Sequence, residues 1–372
     1  MKQFHPLSDE VLVEAVNLRA SHKTLGEAAK AAGIAESSFR NRLLRAAQRG
    51  IDGSVPKPVP AGQVIKGTST LYDEAGNQVL QWVKTGSDQS TDEFIEAVRT
   101  AFDEYKSASK LISPPKKSDA SLMSVYPIAD QHVGLLSWAA ETGENYDLKI
   151  GVERLRSIAS RLISQSPNSQ QAIILNLGDW THSDDQKNMT PRSGNILDVD
   201  GRYFKVLTAG VQLMMDVIDL ALAKHETVLV RNIPGNHDPH ASIALTVALS
   251  AFYHNNPRVT IDDDPSDFFF HRFGQTLIGA NHGHKMKADR MAMSMATMRR
   301  EDWGKTKHHW FLFGHIHHET VKEVGDVRVE SFRTLAAKDA HAASCGYTSG
   351  QSLTSITLHI EDGEIGRHKV NL

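Results

Sequence analysis

Five apolar runs in this chain stop on residue types that can bind metal ions. WFLFGHIHH carries the chain from Trp310–Phe313 into Gly314, His315, Ile316, His317 and His318. A buried strand has no use for imidazoles at its tip, whereas a metal centre does. The same change occurs at Asp130 and His132, at Gly178 and Asp179, at Gly235, Asn236, His237 and Asp238, and at His282, Gly283 and His284. Of 19 histidines, only His5 and His22 precede residue 121. Two carboxylates, one amide oxygen and four imidazoles exceed what one four- to six-coordinate ion needs. Mixed oxygen and imidazole donors suit Mn²⁺, Fe²⁺ or Zn²⁺ rather than Ca²⁺. A carboxylate can bridge two cations about 4 Å apart, and such a pair makes hydroxide available near neutral pH for in-line attack on phosphorus. Glycines beside the donors let the backbone turn sharply at a strand end.

The elements that must position these residues are strands alternating with helices. Helical periodicity covers 148–166, 202–225, 241–256 and 287–301, between the five apolar runs. That alternation predicts an α/β layered architecture, whose strand carboxyl ends gather ligands into one site. The tail, VRVESFRTLAA and SLTSITLHIEDGEIGRHKV, reads as further strands with a turn at Asp362-Gly363. It is expected to form a second, mostly antiparallel sheet.

Asp-x-His, Gly-Asp, Gly-Asn-His-Asp, His-Gly and Gly-His-x-His, in that order, resemble the motifs of the calcineurin-like metallophosphoesterases over residues 121–372. The resemblance implies a four-layer α/β/β/α sandwich. It also implies that Asp130, His132, Asp179 and His317 hold one metal and that Asp179, Asn236, His282 and His315 hold the other. His237 would lie outside the ligand set, near the phosphate, stabilising charge or protonating the leaving group. Asp130 would be placed to orient His237 as well as to bind metal. Mn²⁺ is the expected ion, with Fe²⁺ or Zn²⁺ as alternatives. His284 and His318 read equally as supporting or exposed groups. His240 reads as a helix-start residue, and His308, His309 and His341 as structural or surface groups.

The substrate is less directly written. The protein serine/threonine phosphatases of the family carry an Arg after the second motif's acidic pair and end the third motif in Glu. Here the stretches are GDWTHSDD and GNHD, which argues against that class. His182 resembles a position used by double-strand-break repair nucleases, with a packing role as its alternative. The loop DDQKNMTPRSGNILDVDGRYFK contains Lys187, Arg192 and Arg202, with Arg192 and Arg202 as candidate substrate-binding cations.

Residues 1–50 read as a small helical module. Ser8 is a plausible N-cap followed by Asp9 and Glu10. An Ala-rich helix runs to Gly33, and a second helix carries Phe39 and Leu43. This is a helix-turn-helix pattern with Arg40, Arg42 and Arg45 on its second helix as candidate DNA contacts. Eight Lys/Arg against five Asp/Glu give the module a balance of +3, although the whole chain is at −3. Residues 51–120 read as a connector holding a hairpin about Glu74–Asn77 and an amphipathic helix with Phe94, Val98 and Phe102. The order of the pieces resembles that of phosphoesterases encoded by tailed bacteriophages. The combined expectation is a two-metal phosphodiesterase acting on DNA. The alternative is a small-molecule phosphatase or cyclic-nucleotide phosphodiesterase whose N-terminal module serves assembly, with homo-oligomers possible.

A composition of 40% hydrophobic and 23% charged residues is that of a soluble globular chain, and the single cysteine rules out an internal disulfide. The start of the chain has no long apolar core, and the most apolar helix is interrupted by Lys205, Gln212, Asp216 and Asp219. Cytoplasmic localisation without a membrane span is expected.

Overall fold

A computed structural model describes residues 8–51, 63–73, 78–87 and 111–372. The chain divides into two compact units, Met1–Asp103 and Glu104–Leu372.

In the first unit, α1 (Asp9–Ser21), α2 (Leu25–Ala31) and α3 (Glu36–Gln48) pack around Ala15, Ala28, Ala29 and Phe39. Ser8 is the N-cap of α1 but makes no side-chain capping bond. Thr24 makes a complete capping box with Glu27. Gly33, at φ 69°, turns the chain between α2 and α3. Strands β1 (Gln63–Tyr72) and β2 (Gln78–Ser87) form the expected antiparallel hairpin. The amphipathic helix expected around Phe94–Phe102 lies outside the described residues.

The second unit is the expected four-layer sandwich. One sheet has six strands: β3 (Asp119–Ile128), β4 (Ser169–Asn176), β5 (Thr227–Asn232), β6 (Val259–Asp262), β12 (Ser352–His359) and β13 (Gly363–Asn371). Its order is β13-β12-β3-β4-β5-β6, parallel from β3 to β6. The other has five: β7 (Phe269–Phe273), β8 (Thr276–Asn281), β9 (His308–Phe313), β10 (Thr320–Val324) and β11 (Val327–Ser331), in the order β10-β11-β9-β8-β7. The helices are α4 (Ala139–Thr142), α5 (Leu148–Gln165), α6 (Tyr203–Leu222), α7 (Ala241–Tyr253), α8 (Ala288–Met298), α9 (Arg300–Trp303) and α10 (Ala340–Ser344).

Side-chain alternation explains the layering. Val125, Ile173 and Leu175 face inward, where they meet Ile278, Ala280 and Leu312 of the second sheet. Their neighbours Tyr126, Ile174 and Val230 face outward against Leu155, Leu162, Leu213 and Leu249 of the covering helices. Phe311 and Val329 face outward from the second sheet onto Met291 and Met295 of α8. Strands buried on both faces read as unbroken apolar runs, and each such side chain stabilises by about 1.5–3 kcal/mol.

The tail departs from expectation. Of the tail strands only β11 joins the second sheet, while β12 and β13 join the first, with β12 antiparallel to β3. The second sheet is mixed, because β8, β9 and β11 run parallel and only its edge strands run antiparallel. Buried Glu330 of β11 pairs with Arg367 of β13 and so ties the two sheets together. Among the described residues no helix is long and apolar enough to cross a membrane.

A buried histidine makes this unit acid-sensitive. His225 is fully buried, with Tyr126 Oη 2.8 Å from Nε2 and Ser169 Oγ 2.8 Å from Nδ1. Burial lowers its pKa to about 4, against about 6.5 when unfolded. The unfolded chain therefore holds the extra proton between these values, and stability falls as pH drops from about 6.5 towards 4. Urea unfolding at pH 7 and pH 4.5 should show the native protein losing about 2–3 kcal/mol more than His225→Asn. Equal losses in the two proteins would remove His225 from the account.

Candidate metal centre

The donors lie on loops leaving the carboxyl ends of β3, β4, β5, β8 and β9, and two of the clusters they form each bring together three residues of one implied ligand set. Asp130, His132 and His317 bring one donor atom each to within 4.8 Å of one another. Asp179, His282 and His315 do the same. Asn236 Oδ1 is 3.0 Å from His282 Nε2, which places the amide with the second group. His132 Nε2 is 3.1 Å from His317 Nε2, and His317 Nε2 is 3.4 Å from Asp130 Oδ1. Asp179 Oδ2 is 3.2 Å from His282 Nε2.

The backbone is held in unusual conformations to achieve this. Among described non-glycine residues, positive φ occurs at Asp130 (51°), His132 (47°), Asp179 (53°), His315 (69°) and His317 (55°), and otherwise only at Asn188. Each such residue costs of order 1–3 kcal/mol and persists only where its surroundings over-determine it. Here the surroundings are specific. The main-chain N–H of His315 donates to both oxygens of Asp130 at 2.9 Å, and Thr334 Oγ1 donates to the Asp130 carbonyl at 2.5 Å. The N–H of His237 donates to Asp179 Oδ1 at 2.8 Å. At Gly235 a Cβ would fall 2.0 Å from Asp179 Oδ1, so no larger residue fits without displacing that carboxylate.

Asp238 has a structural task. Its carboxylate accepts from the main-chain N–H groups of Asp179, Trp180, Thr181 and Gly235. It thereby fixes the loop that presents Asp179. Burial, then the nearby Asp179 charge, pushes its pKa up to about 7. Asp184 was also missed. It accepts from the N–H groups of His240 and Ala241 and pairs with the His240 ring, and His240 is the N-cap of α7 as expected.

The electrostatics suit cations. Asp130 and Asp179 are buried, and their ion pairs among the described residues are with histidines only, never Lys or Arg. Burial lowers the pKa of His132 and His315, keeping imidazole lone pairs available. Burial would depress His282 too, but the Asp179 carboxylate outweighs it and raises that ring to about 10. In turn, burial would raise Asp179, and the His282 charge holds it well below the usual carboxylate range. The donor types, their burial and the lack of competing Lys or Arg all fit divalent transition-metal ions.

His237 and His182 sit beside the first cluster. His237 Nδ1 donates to the His182 carbonyl at 2.8 Å. That contact corrects the expectation that Asp130 orients His237, because the Asp130 carboxylate is engaged by the His315 N–H and by His317. His182 is buried, and burial lowers its pKa to about 3. His284 is partly buried beside the His282 and His315 rings, with Nδ1 unpartnered, whereas His318 is exposed. His309 is buried against Trp303 and Asp326, and His308 and His341 are not buried.

Other expected contacts are not brought to the centre. Arg192 and Arg202 are exposed on the long loop before α6, with no described bond to the clustered side chains. In the N-terminal unit Arg40 is exposed and pairs with Glu36 at 3.6 Å, while Arg42 and Arg45 are partly exposed on α3.

No family model and no curated protein matches the chain. Solved structures similar to it include an archaeal phosphodiesterase, at 15% identity and TM-score 0.35, covering 67% of this chain and 100% of that one. A dimetal phosphatase from Danio rerio is similar at 10% identity and TM-score 0.37, covering 68% and 99%. A predicted phosphoesterase from Streptococcus pneumoniae is similar at 12% identity and TM-score 0.29, covering 68% and 100%.

Proposed function

We propose that this chain is a calcineurin-like metallophosphoesterase that hydrolyses phosphodiesters with two divalent metal ions, and that its substrate is DNA. One observation carries the reading: two donor clusters, each with a buried carboxylate and two imidazoles, lie at strand carboxyl ends, and among the described residues no Lys or Arg pairs with either carboxylate. Bound cations would activate water near neutral pH and neutralise charge on the phosphoryl group. Asp130, His132, Asp179 and His317 would hold one, and Asp179, Asn236, His282 and His315 the other. The mixed donors favour Mn²⁺, with Fe²⁺ or Zn²⁺ as substitutes.

His237 is the group for proton transfer. Its Nδ1–H is committed to the His182 carbonyl, so Nε2 is the atom that can hold or pass a proton at a leaving oxygen. DNA as substrate is supported by the N-terminal helices, whose α3 carries Arg40, Arg42 and Arg45.

A substrate panel tests the proposal: bis-p-nitrophenyl phosphate against the monoester, then labelled DNA and RNA. Preference for the monoester, or for a cyclic nucleotide over DNA, would favour a small-molecule enzyme. Gel-shift titration at two salt concentrations tests the arginines. Replacing Arg40, Arg42 and Arg45 by Ala in the full chain should reduce the slope of log K against log salt by up to about 2.7, at about 0.9 per phosphate contact. Turnover of the chromogenic diester should be unaffected. An unchanged slope would leave the helical module without a DNA role.

A further inference from the structure

A third cluster of donors stands behind the first. His132, His182 and His237 also bring nitrogens to within 4.8 Å of one another. The His132 ring meets both others edge-on, at centroid distances of 5.1 Å to His182 and 4.8 Å to His237, while His182 and His237 stack at 5.3 Å. His182 is only 1% exposed, which withdraws its ring from solvent.

The hydrogen bonds sort the roles. His132 Nε2 faces His317 Nε2, so it is the nitrogen turned towards the candidate cation. Its other nitrogen, Nδ1, lies 3.2 Å from His182 Nδ1. Two nitrogens at that distance share one proton. A neutral His132 that offers its Nε2 lone pair carries its proton on Nδ1 and donates it to His182. His182 must then carry its own proton on Nε2, and that atom is buried and has no hydrogen-bond partner among the described residues. Meanwhile the carbonyl of the same residue accepts from His237 Nδ1.

We infer that His182 is a positioning residue that sets two tautomers at once: its ring holds His132 with Nε2 free for metal, and its carbonyl holds His237 with Nε2 free for proton transfer. The inference rests on the two-metal reading above. Only the ring half can be removed by substitution, because every variant keeps the carbonyl.

Full-length, metal-free protein titrated with Mn²⁺ by calorimetry tests it. His182→Leu removes the acceptor at similar bulk. His182→Gln moves a polar atom away from His132 Nδ1. His182→Asn restores an oxygen close to where Nδ1 stood. The Leu and Gln proteins should bind at one of two sites about 10–100-fold more weakly, the usual cost of losing a group that orients a ligand, and Asn should recover most of that loss. Circular dichroism checks that each is folded. If Leu does not fold, the Gln and Asn pair carries the comparison. Equal Mn²⁺ affinity in all proteins, an Asn variant as weak as Leu, or unfolding of both Leu and Gln would overturn the inference, the last by assigning His182 to packing. Absence of Mn²⁺ binding to the unaltered protein would instead remove the two-metal reading.

Discussion

Asp179→Asn should give a folded protein that has lost both metal ions and all phosphoesterase activity. The residue is buried at 1% exposure, and its carboxylate faces the His282–His315 cluster. Its charge also acts on His132 and His317 in the other cluster. Removing one member of a buried charge pair costs about 3–5 kcal/mol. At about 1.4 kcal/mol per tenfold, that is roughly a 10²–10⁴-fold loss of affinity, and it falls on two sites together. The fold should survive because the amide keeps an oxygen that can accept from the His237 N–H, and Asp238 still clamps the loop from below. Elemental analysis after Mn²⁺ loading should find about two ions in the unaltered protein and close to none in the variant. Two ions retained in an inactive Asp179→Asn protein would show that Asp179 is not shared between the sites.

What could be read from the residues alone was whatever is local to a strand and its end. Ile173 and Leu175 face one layer and Ile174 the other, so AIILNLGD announces a strand buried on both sides that terminates in a donor. The donors themselves were legible because strand ends converge whatever the order of the sheet. What could not be read depends on partners far apart in the chain. SLTSITLH is as good a strand against β11 as against β3, and only the assembled layers place it beside β3. VTID and FFHRF lie in a stretch broken by aspartates, and only their pairing at the sheet edges marks them as strands. Asp238 looks like one more acidic residue of a motif until four main-chain N–H groups are seen to converge on it. Positive φ at Asp130, His132, Asp179, His315 and His317 was likewise invisible, since these residue types do not demand it as glycine does.

His237→Ala should keep its metal and lose rate, which separates it from every residue in the two carboxylate-bearing clusters. The ring is partly exposed, so it reaches the surface where a phosphoester must arrive. It belongs to neither cluster that contains Asp130 or Asp179. Its Nδ1 is tied to a main-chain carbonyl, which fixes the ring plane and leaves Nε2 as the acting atom. A group so placed contributes by proton transfer, on the usual scale of about 10²–10⁴-fold in rate. The loss should depend on the leaving group. A diester of a good leaving group, such as p-nitrophenol, needs little protonation and should suffer less than one with an alkyl alcohol. Steady-state rates on two such diesters, measured beside Mn²⁺ stoichiometry, give the decisive comparison. Equal losses on both would assign His237 to charge stabilisation instead of proton donation, and an empty metal site would make it a ligand through the cluster it shares with His132 and His182.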